Sequence, residues 1–180
     1  NYILSLKDKT EMNPTILRFA TAFGLSPRMR FDLTISEFTR ELGLGNELLV
    51  YDAQTWRPYC HVLDFARLIQ IVFEASKNKT SFEIFNAGGE ENNATKQMIV
   101  DTILNKIPDG IVRYDNFGSD PRNYRVNFKK VKKRFNFELE YTIEDGIVEL
   151  IYAIKNHVFD RVATNKNFHG NYEINYSVSK

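Results

Sequence analysis

The chain has 180 residues, of which 43% are hydrophobic and 26% charged. These values are typical of globular domains and exclude a disordered tail, a collagen-like repeat and a disulfide framework. A net charge of +1 argues against nucleic acid or an acidic membrane as partner. The single cysteine, Cys60, fits a reducing, cytoplasmic compartment, and no apolar run has the length of a membrane span.

Apolar runs bounded by glycine, proline or serine predict β-strands along the chain. The first run follows Pro14, ends before Gly24 and is rich in β-branched and aromatic residues. Short continuous runs are typical of strands buried on both faces, as in a parallel sheet covered by helices. The predicted strands are residues 15–22, 48–51, 59–63, 82–87 and 111–114.

Apolar residues at steps of three and four predict helices between these strands. Asp64, Thr95 and Thr142 are suited to cap helices, because their side-chain oxygens can accept hydrogen bonds from the first-turn backbone. The apolar stripe after Asp64 extends from Phe65 to Phe73. The other predicted helices are residues 33–42, 96–107, 128–135 and 143–158, while residues 2–6 belong to an element already under way.

This alternation of strands and helices predicts an α/β architecture. After Phe159 the pattern ends, because residues 161–180 are polar, rich in asparagine and without a clear period. We therefore expect a body at residues 1–160, followed by a polar C-terminal tail.

General-purpose catalytic motifs are missing from the sequence. It contains no G-x-G-x-x-G, no G-x-x-x-x-G-K-[ST] and no G-x-S-x-G. No tyrosine of residues 1–160 has a lysine four residues later, and the one such pair, Tyr176 and Lys180, lies in the polar stretch at the end of the sequence. His61, His157 and His169 lack the spacing of metal ligands. The sequence therefore predicts no metal site and offers no catalytic residue of these kinds.

Arginines in loops beside aromatic residues are the chemical groups that remain. Arg30, Arg57, Arg122 and Arg125 are of this kind. A guanidinium presents a fixed fork of donors that matches phosphate oxygens, which makes a diphosphate a candidate ligand. The alternative is that these arginines pair with surface carboxylates or stack on the nearby rings.

Five sequence blocks together resemble a known enzyme family. In chain order they are ILRFATAFGLSPRMRFD at 16–32, WRPYCHVLD at 56–64, FNAG at 85–88, DPRNYRV at 120–126 and DGI at 145–147. They are similar to blocks of the extended short-chain dehydrogenase/reductases, the NAD-dependent epimerases and dehydratases of sugar nucleotides. The family's order is preserved over most of residues 15–158.

The resemblance implies the last strands and helices of a Rossmann-type sheet, interleaved within residues 1–160 with a small mixed α/β substrate-binding domain. In this family the glycine-rich dinucleotide loop and the catalytic Tyr-x-x-x-Lys precede the segment that matches residues 15–22. The expectation is therefore that this chain is part of a longer enzyme, holds no catalytic residue and is inactive alone.

The resemblance also assigns site residues. Ala20 would line the nicotinamide pocket, and Thr21 stands where relatives often have an asparagine that contacts the sugar nucleotide. Arg57 and Arg122 match positions that bind the nucleotide diphosphate, and Arg30 is a further candidate. The implied cofactor is NAD, bound mainly by the missing half, and the substrate is a nucleotide sugar converted through a keto-sugar. The intact protein could form a homodimer.

Several alternatives accompany these expectations. His61 is a candidate for holding the turn into the next helix rather than for catalysis. The lysines of residues 129–134 fit the solvent face of a helix better than an RNA site. A non-catalytic module, binding sugar nucleotides or a protein partner, is the alternative function. A severed sheet edge should also make the isolated chain prone to associate.

Overall fold

Strands and helices alternate along residues 2–116 and 122–159, which are the residues that the computed structural model describes. The polar tail at 161–180 and the first two residues of the DPRNYRV block lie outside them. The strands are β1 Thr15–Phe19, β2 Thr21–Phe23, β3 Leu48–Tyr51, β4 Trp56–His61, β5 Glu83–Ala87, β6 Asn93–Thr95 and β7 Val112–Asp115. The helices are α1 Tyr2–Ser5, α2 Thr34–Gly43, α3 Val62–Glu74, α4 Lys77–Thr80, α5 Lys96–Leu104, α6 Lys129–Phe135 and α7 Ile143–Lys155.

The strands of this described part form two parallel pairs and one three-stranded sheet. Strand β1 pairs in parallel with β5, and β3 pairs in parallel with β7. In the third sheet β4 is central, parallel to β2 and antiparallel to β6. The predicted α/β class with parallel strands is confirmed.

The predicted strand at residues 15–22 is wrong in one respect, because the chain changes sheet within it. The backbone N–H of Ala20 still donates to the carbonyl of Ala87, which follows the β1–β5 ladder, at 3.1 Å. The next residue, Thr21, lies opposite Tyr59 of β4. An apolar run indicates an extended conformation but not the identity of the partner strand, so the sequence could not show this break.

Two expected boundaries also differ. Strand β4 begins at Trp56, earlier than predicted, because its antiparallel pairing places Trp56 opposite Thr95 of β6. It ends at His61, whose side chain caps α3, and Asp64 is therefore not the N-cap that we predicted. The two threonine caps are confirmed: Thr95 caps α5, and Thr142 caps α7.

Two main clusters of buried side chains lie on either side of the strand change at Ala20. The larger packs α2, α5 and α7 against the three-stranded sheet, and its members include Phe23, Ile35, Phe38, Leu42, Val50, Tyr59, Ile99, Ile103 and Ile147. The other surrounds β5 and includes Leu68, Phe85, Phe128, Val131 and Phe137. The residues that connect β1 to β2 therefore join two separately packed bodies of apolar side chains.

An apolar surface remains uncovered along β1 and α3. Ile69 and Phe73 of the predicted stripe are 37% and 85% exposed, and no residue of β1 is buried. A cavity of about 340 Å³ separates the two elements, lined in part by Leu17 and Val72. Among the described strands β1 pairs with β5 alone. A parallel strand usually has both faces covered, so this surface is suited to a further partner.

We predict that Phe73→Ser weakens self-association of the chain about tenfold, because it removes the most exposed large apolar side chain of this surface. Sedimentation velocity over a concentration series measures the effect. Tyr152→Ser is the matched control, since Tyr152 is also an exposed aromatic residue but lies on α7. An association constant that Phe73→Ser leaves unchanged would contradict the prediction.

A second prediction concerns the reciprocal cap of α7. The hydroxyl and backbone N–H of Thr142 both donate to Asp145, which lowers the pKa of that carboxyl. A carboxyl whose pKa is lower in the folded state than in the unfolded state stabilises the protein at pH values above its unfolded-state pKa. This stabilisation is lost as the pH falls through the folded-state pKa. Asp145 is exposed, so solvent screens the contact, and Asp145→Asn should cost about 0.5 kcal/mol near pH ~7, or about 1–2 °C in Tm, and nothing near pH ~2. Thermal unfolding measured at both pH values tests this, with Asp109→Asn as control; an equal loss at both would contradict it.

Candidate functional site

The central strand β4 presents one of the predicted arginines. Arg57 is half-buried and lies opposite Ala94 of β6, while Tyr59, two residues later, lies opposite Thr21 of β2. The aromatic and β-branched character of β2 and β4 favours these extended conformations. One sheet therefore holds Arg57 and Thr21, two register positions apart.

The structure brings Arg57 and Arg122 together. A guanidinium Nη1 of Arg57 donates to the backbone carbonyl of Arg122. The same guanidinium lies over the ring of Tyr124, 5.6 Å from its centroid, in a cation–π contact. Arg122 itself is exposed. Two residues predicted from distant blocks thus meet at one surface.

A third arginine lies beside the neighbouring residue of β4. The guanidinium of Arg125 lies 3.6 Å from the centroid of the Trp56 ring. Trp56 directly precedes Arg57, and successive side chains of a strand point to opposite faces, so the two cation–π contacts flank β4. From the sequence, Arg125 was predicted only as a loop arginine and was not assigned to the site, although its block also contains Arg122.

Hydrogen bonds fix the backbone of this arginine-bearing segment against β4. The backbone N–H of Trp56 donates to Oδ1 of Asn123 at 2.9 Å, and the N–H of Tyr124 donates to the carbonyl of Trp56 at 3.2 Å. Asn86, at the end of β5, donates through Nδ2 to the carbonyl of Asn127 at 3.1 Å. The segment is thereby attached to the three-stranded sheet through β4 and to the β1–β5 pair through Asn86.

Arg30 has a different environment. Its Nε and Nη2 donate to the two carboxylate oxygens of Asp32 at 2.6 and 2.5 Å. The Asp32 side chain is only 3% exposed, so this two-point ion pair is largely shielded from water. Such pairing with a carboxylate is the alternative that the sequence left open for the loop arginines.

Ala20 and Thr21 lie where the chain leaves one sheet for the other. Ala20 directly follows the carboxyl end of β1, and Gly88 directly follows the carboxyl end of the parallel strand β5. A Cβ on Gly88 would approach Phe128 to 2.8 Å and the Cβ of Ala20 to 3.4 Å, so glycine is required there. In open α/β sheets, ligands bind outside the carboxyl ends of the strands, which is where both candidates lie.

His61 has a structural role at the start of α3. Its Nδ1 accepts from the N–H of Leu63 at 3.3 Å, and its Nε2 lies 3.1 Å from Oε2 of Glu149 on α7. The ring stacks on Tyr141 and is 1% exposed. The expectation that His61 holds the turn into the helix is confirmed, since its acceptor nitrogen caps the first turn.

Asp64 is buried in the first turn of α3 and bonds to another part of the chain. Its carboxylate accepts from the backbone N–H groups of Glu140 and Tyr141, both at 3.1 Å, and pairs with Arg67. A buried carboxylate requires such partners because desolvation of an unpaired charge is costly. Asp64 therefore anchors the segment before α7 to α3.

Two titratable groups of β4 stay protonated near neutral pH. Burial raises the pKa of the Tyr59 hydroxyl to about 12. Burial also raises the pKa of the Cys60 thiol, and the Asp64 carboxylate raises it further. A thiolate is the reactive form of cysteine, so Cys60 is an inert core residue.

Two of the four lysines of α6 lie in ion pairs on the surface. The Nζ of Lys130 lies 2.6 Å from Oε2 of Glu83, and the Nζ of Lys132 lies 2.8 Å from Oε1 of Glu138. The hydrogen bond from Lys130 lowers the pKa of the Glu83 carboxyl. Val131 faces inward and is buried. This arrangement matches the expected solvent face of an amphipathic helix.

The described ranges are residues 2–116 and 122–159. No group of three or more His, Cys, Asp or Glu side chains in these ranges could hold a metal ion. No helix in the same ranges is both long and apolar enough to cross a membrane.

The amino-acid sequence is similar to those of known proteins. Residues 1–88 match the model of the NAD dependent epimerase/dehydratase family. The UDP-glucuronate 4-epimerase of Thermodesulfobacterium geofontis is 27% identical over 154 residues, which cover 78% of this chain and 46% of that protein. The chain thus spans about half the length of this curated relative.

Solved structures share the fold over most of the chain. The dTDP-glucose 4,6-dehydratase of Bacillus anthracis, in complex with NAD, has a TM-score of 0.73 at 24% identity and is matched over 88% of this chain and 50% of its own. The UDP-glucose 4-epimerase of Thermotoga maritima, with UDP-glucose, has a TM-score of 0.71 at 18% identity over 87% and 50%.

The alternating strands and helices, with parallel pairs, have the fold of Rossmann-type epimerases and dehydratases. In sequence, residues 1–88 are similar to the NAD dependent epimerase/dehydratase family. The resemblance predicted from the sequence blocks is confirmed.

Proposed function

We propose that this chain is the substrate-binding portion of an NAD-dependent epimerase or dehydratase acting on a nucleotide-diphosphate sugar. The observation that carries the proposal is the contact between Arg57 and Arg122, which come from two blocks 65 positions apart. Because the two residues meet at one surface, a common ligand explains them better than two unrelated ion pairs do.

The charge at this surface matches a diphosphate. Arg57 and Arg122 contribute two positive charges, and Arg125 adds a third beside the neighbouring residue of β4. The guanidinium groups of Arg57 and Arg125 lie over aromatic rings. Stacking limits the motion of a long side chain, so less freedom is lost when a ligand binds. Adjacent negative phosphates would relieve the mutual repulsion of the guanidinium groups.

Thr21 and Arg30 are the remaining residues predicted to bind the substrate. Thr21 is half-buried at the start of β2 and offers a hydroxyl to the sugar nucleotide. Arg30 stays a prediction, since its use by a substrate would require the ion pair with Asp32 to open.

NAD is the cofactor that the proposal assigns to the enzyme. Ala20 fits one wall of a nicotinamide site, because it is partly exposed, bears only a methyl group and lies at the carboxyl end of β1. We assign most contacts with NAD to residues outside this chain. The chemistry that NAD supplies when bound is reversible acceptance of a hydride from a sugar carbon, which leaves a keto-sugar. This chain's contribution is to hold the diphosphate so that the sugar carbon is correctly placed.

Compartment and partners follow from the same properties. The free, buried Cys60 thiol is compatible with a reducing cytoplasm, where we place the protein. The paired lysines of α6 favour neither nucleic acid nor an anionic membrane as partner. A homodimer is our proposal for the intact enzyme.

We predict that the chain binds UDP-glucose or dTDP-glucose and that Arg57→Ala or Arg122→Ala weakens this binding about 10–100-fold, because each change removes a charged donor from the phosphates. Arg122→Ala keeps the backbone carbonyl that Arg57 contacts, so it tests the guanidinium alone. Isothermal titration calorimetry gives the affinities. Arg113→Ala is the control, since Arg113 is an exposed arginine on β7 that pairs with Glu47. Affinities equal to that of the unmodified chain would contradict the assignment.

We also predict no turnover by the 180-residue chain with NAD and these two sugar nucleotides, because it has no glycine-rich dinucleotide loop and no tyrosine of residues 1–160 has a lysine four residues later. Product analysis by anion-exchange chromatography after long incubation tests this. Formation of an epimer or a dehydrated sugar would show that the chain is catalytic and overturn this part of the proposal.

A further inference from the structure

The segment that carries Arg122 and Arg125 has no regular secondary structure. Residues 123–128 belong to no helix or strand. Backbone N–H and C=O groups need partners wherever water is excluded, so a segment of this kind depends on individual contacts for its position. In the described part of the chain, asparagine side chains supply several of these contacts.

Asn93 makes the most complete contact. Its Oδ1 accepts from the backbone N–H of Val126 at 3.0 Å, and its Nδ2 donates to the carbonyl of the same residue at 3.1 Å. Nδ2 also donates to the carbonyl of Glu90 at 3.2 Å. The side-chain amide therefore binds both backbone groups of one residue, as a neighbouring strand would. This requires a donor and an acceptor on one short side chain, which asparagine provides.

Asn93 is well placed to control the arginines. It is the first residue of β6, directly before Ala94, which lies opposite Arg57. Val126 directly follows Arg125, whose guanidinium stacks on Trp56. The segment is thus held from β6 by Asn93 and from β4 by Trp56, and the bonds of Asn93 fix its position along the strands.

We propose that Asn93 is a positioning residue for the diphosphate site. It touches no ligand itself; it holds the backbone of Val126 so that Arg122 stands beside Arg57 and Arg125 stands on the ring of Trp56. The inference rests on the proposed function, because it assigns Asn93 to the same site.

The main test is a double-mutant cycle with UDP-glucose as the probe. Asn93→Ala removes both bonds to Val126 and should weaken binding about tenfold. Because Asn93 acts through the arginines, the combination with Arg122→Ala should bind little worse than Arg122→Ala alone. Asn105→Ala is the control, since Asn105 is exposed at the end of α5, and it should leave the affinity unchanged.

A second readout needs no ligand. Trp56 is the only tryptophan in the chain, so its fluorescence reports on the contact with Arg125. Asn93→Ala and Arg125→Ala should each alter the emission spectrum of the free protein in the same direction, while Asn105→Ala should not. Asn93→Asp is the conservative variant: it keeps the acceptor for the N–H of Val126 but replaces the donor by an oxygen that repels the carbonyl. It should show the same changes even if Asn93→Ala does not fold.

The outcomes separate this inference from the proposed function. If the unmodified chain binds no sugar nucleotide, the proposed function fails and this inference fails with it. If binding depends on Arg57 but Asn93→Ala and Asn93→Asp keep full affinity, only the inference is overturned. Additive losses in the cycle, or a Trp56 spectrum unchanged in both Asn93 variants, would likewise overturn it.

Discussion

The change of sheet at Ala20 is the constraint on which the rest of the structure depends. Its N–H completes the ladder between β1 and β5, while the next residue begins the ladder between β2 and β4. The two main buried clusters lie on either side of this point. Because the backbone passes through it without a loop, the two bodies have a fixed spacing. The small side chain of Ala20 and the absence of one at Gly88 allow the close approach.

Buried polar contacts hold the helices to this framework. The Asp64 carboxylate binds two backbone N–H groups ahead of α7, and His61 connects the start of α3 to Glu149 on α7. Both of these buried side chains have specific partners, so the contacts define the position of α7 as well as stabilising it. Helix α7 comes close enough that a Cβ on Gly146 would lie 2.5 Å from Phe23. The arginine surface is therefore supported by rigid elements on one side and by single side-chain amides on the other.

Particular residues show how far local sequence signals reached. The caps at Thr95 and Thr142 were predictable because a cap depends on hydrogen bonds within one helical turn. Asp64 carries the same local signal, yet its carboxylate binds residues 76 and 77 positions away, and His61 caps the helix instead. The exposure of Phe73 was likewise not predictable, since spacing at three and four gives a helical face but not what covers it.

The sequence by itself determined the α/β class, most helices and strands, and the resemblance to the epimerases and dehydratases, because periodicity and contiguous motifs are properties of short stretches. It also selected Arg57 and Arg122 as a pair, through blocks that the family keeps in order. Only the tertiary structure decided that the Arg57 guanidinium meets the backbone of Arg122, that Arg30 is engaged by Asp32, and that Asn93 and Trp56 contact the same segment. The physical reason is that these contacts join residues from different elements. Their distances are set by sheet register and packing, which no local pattern encodes.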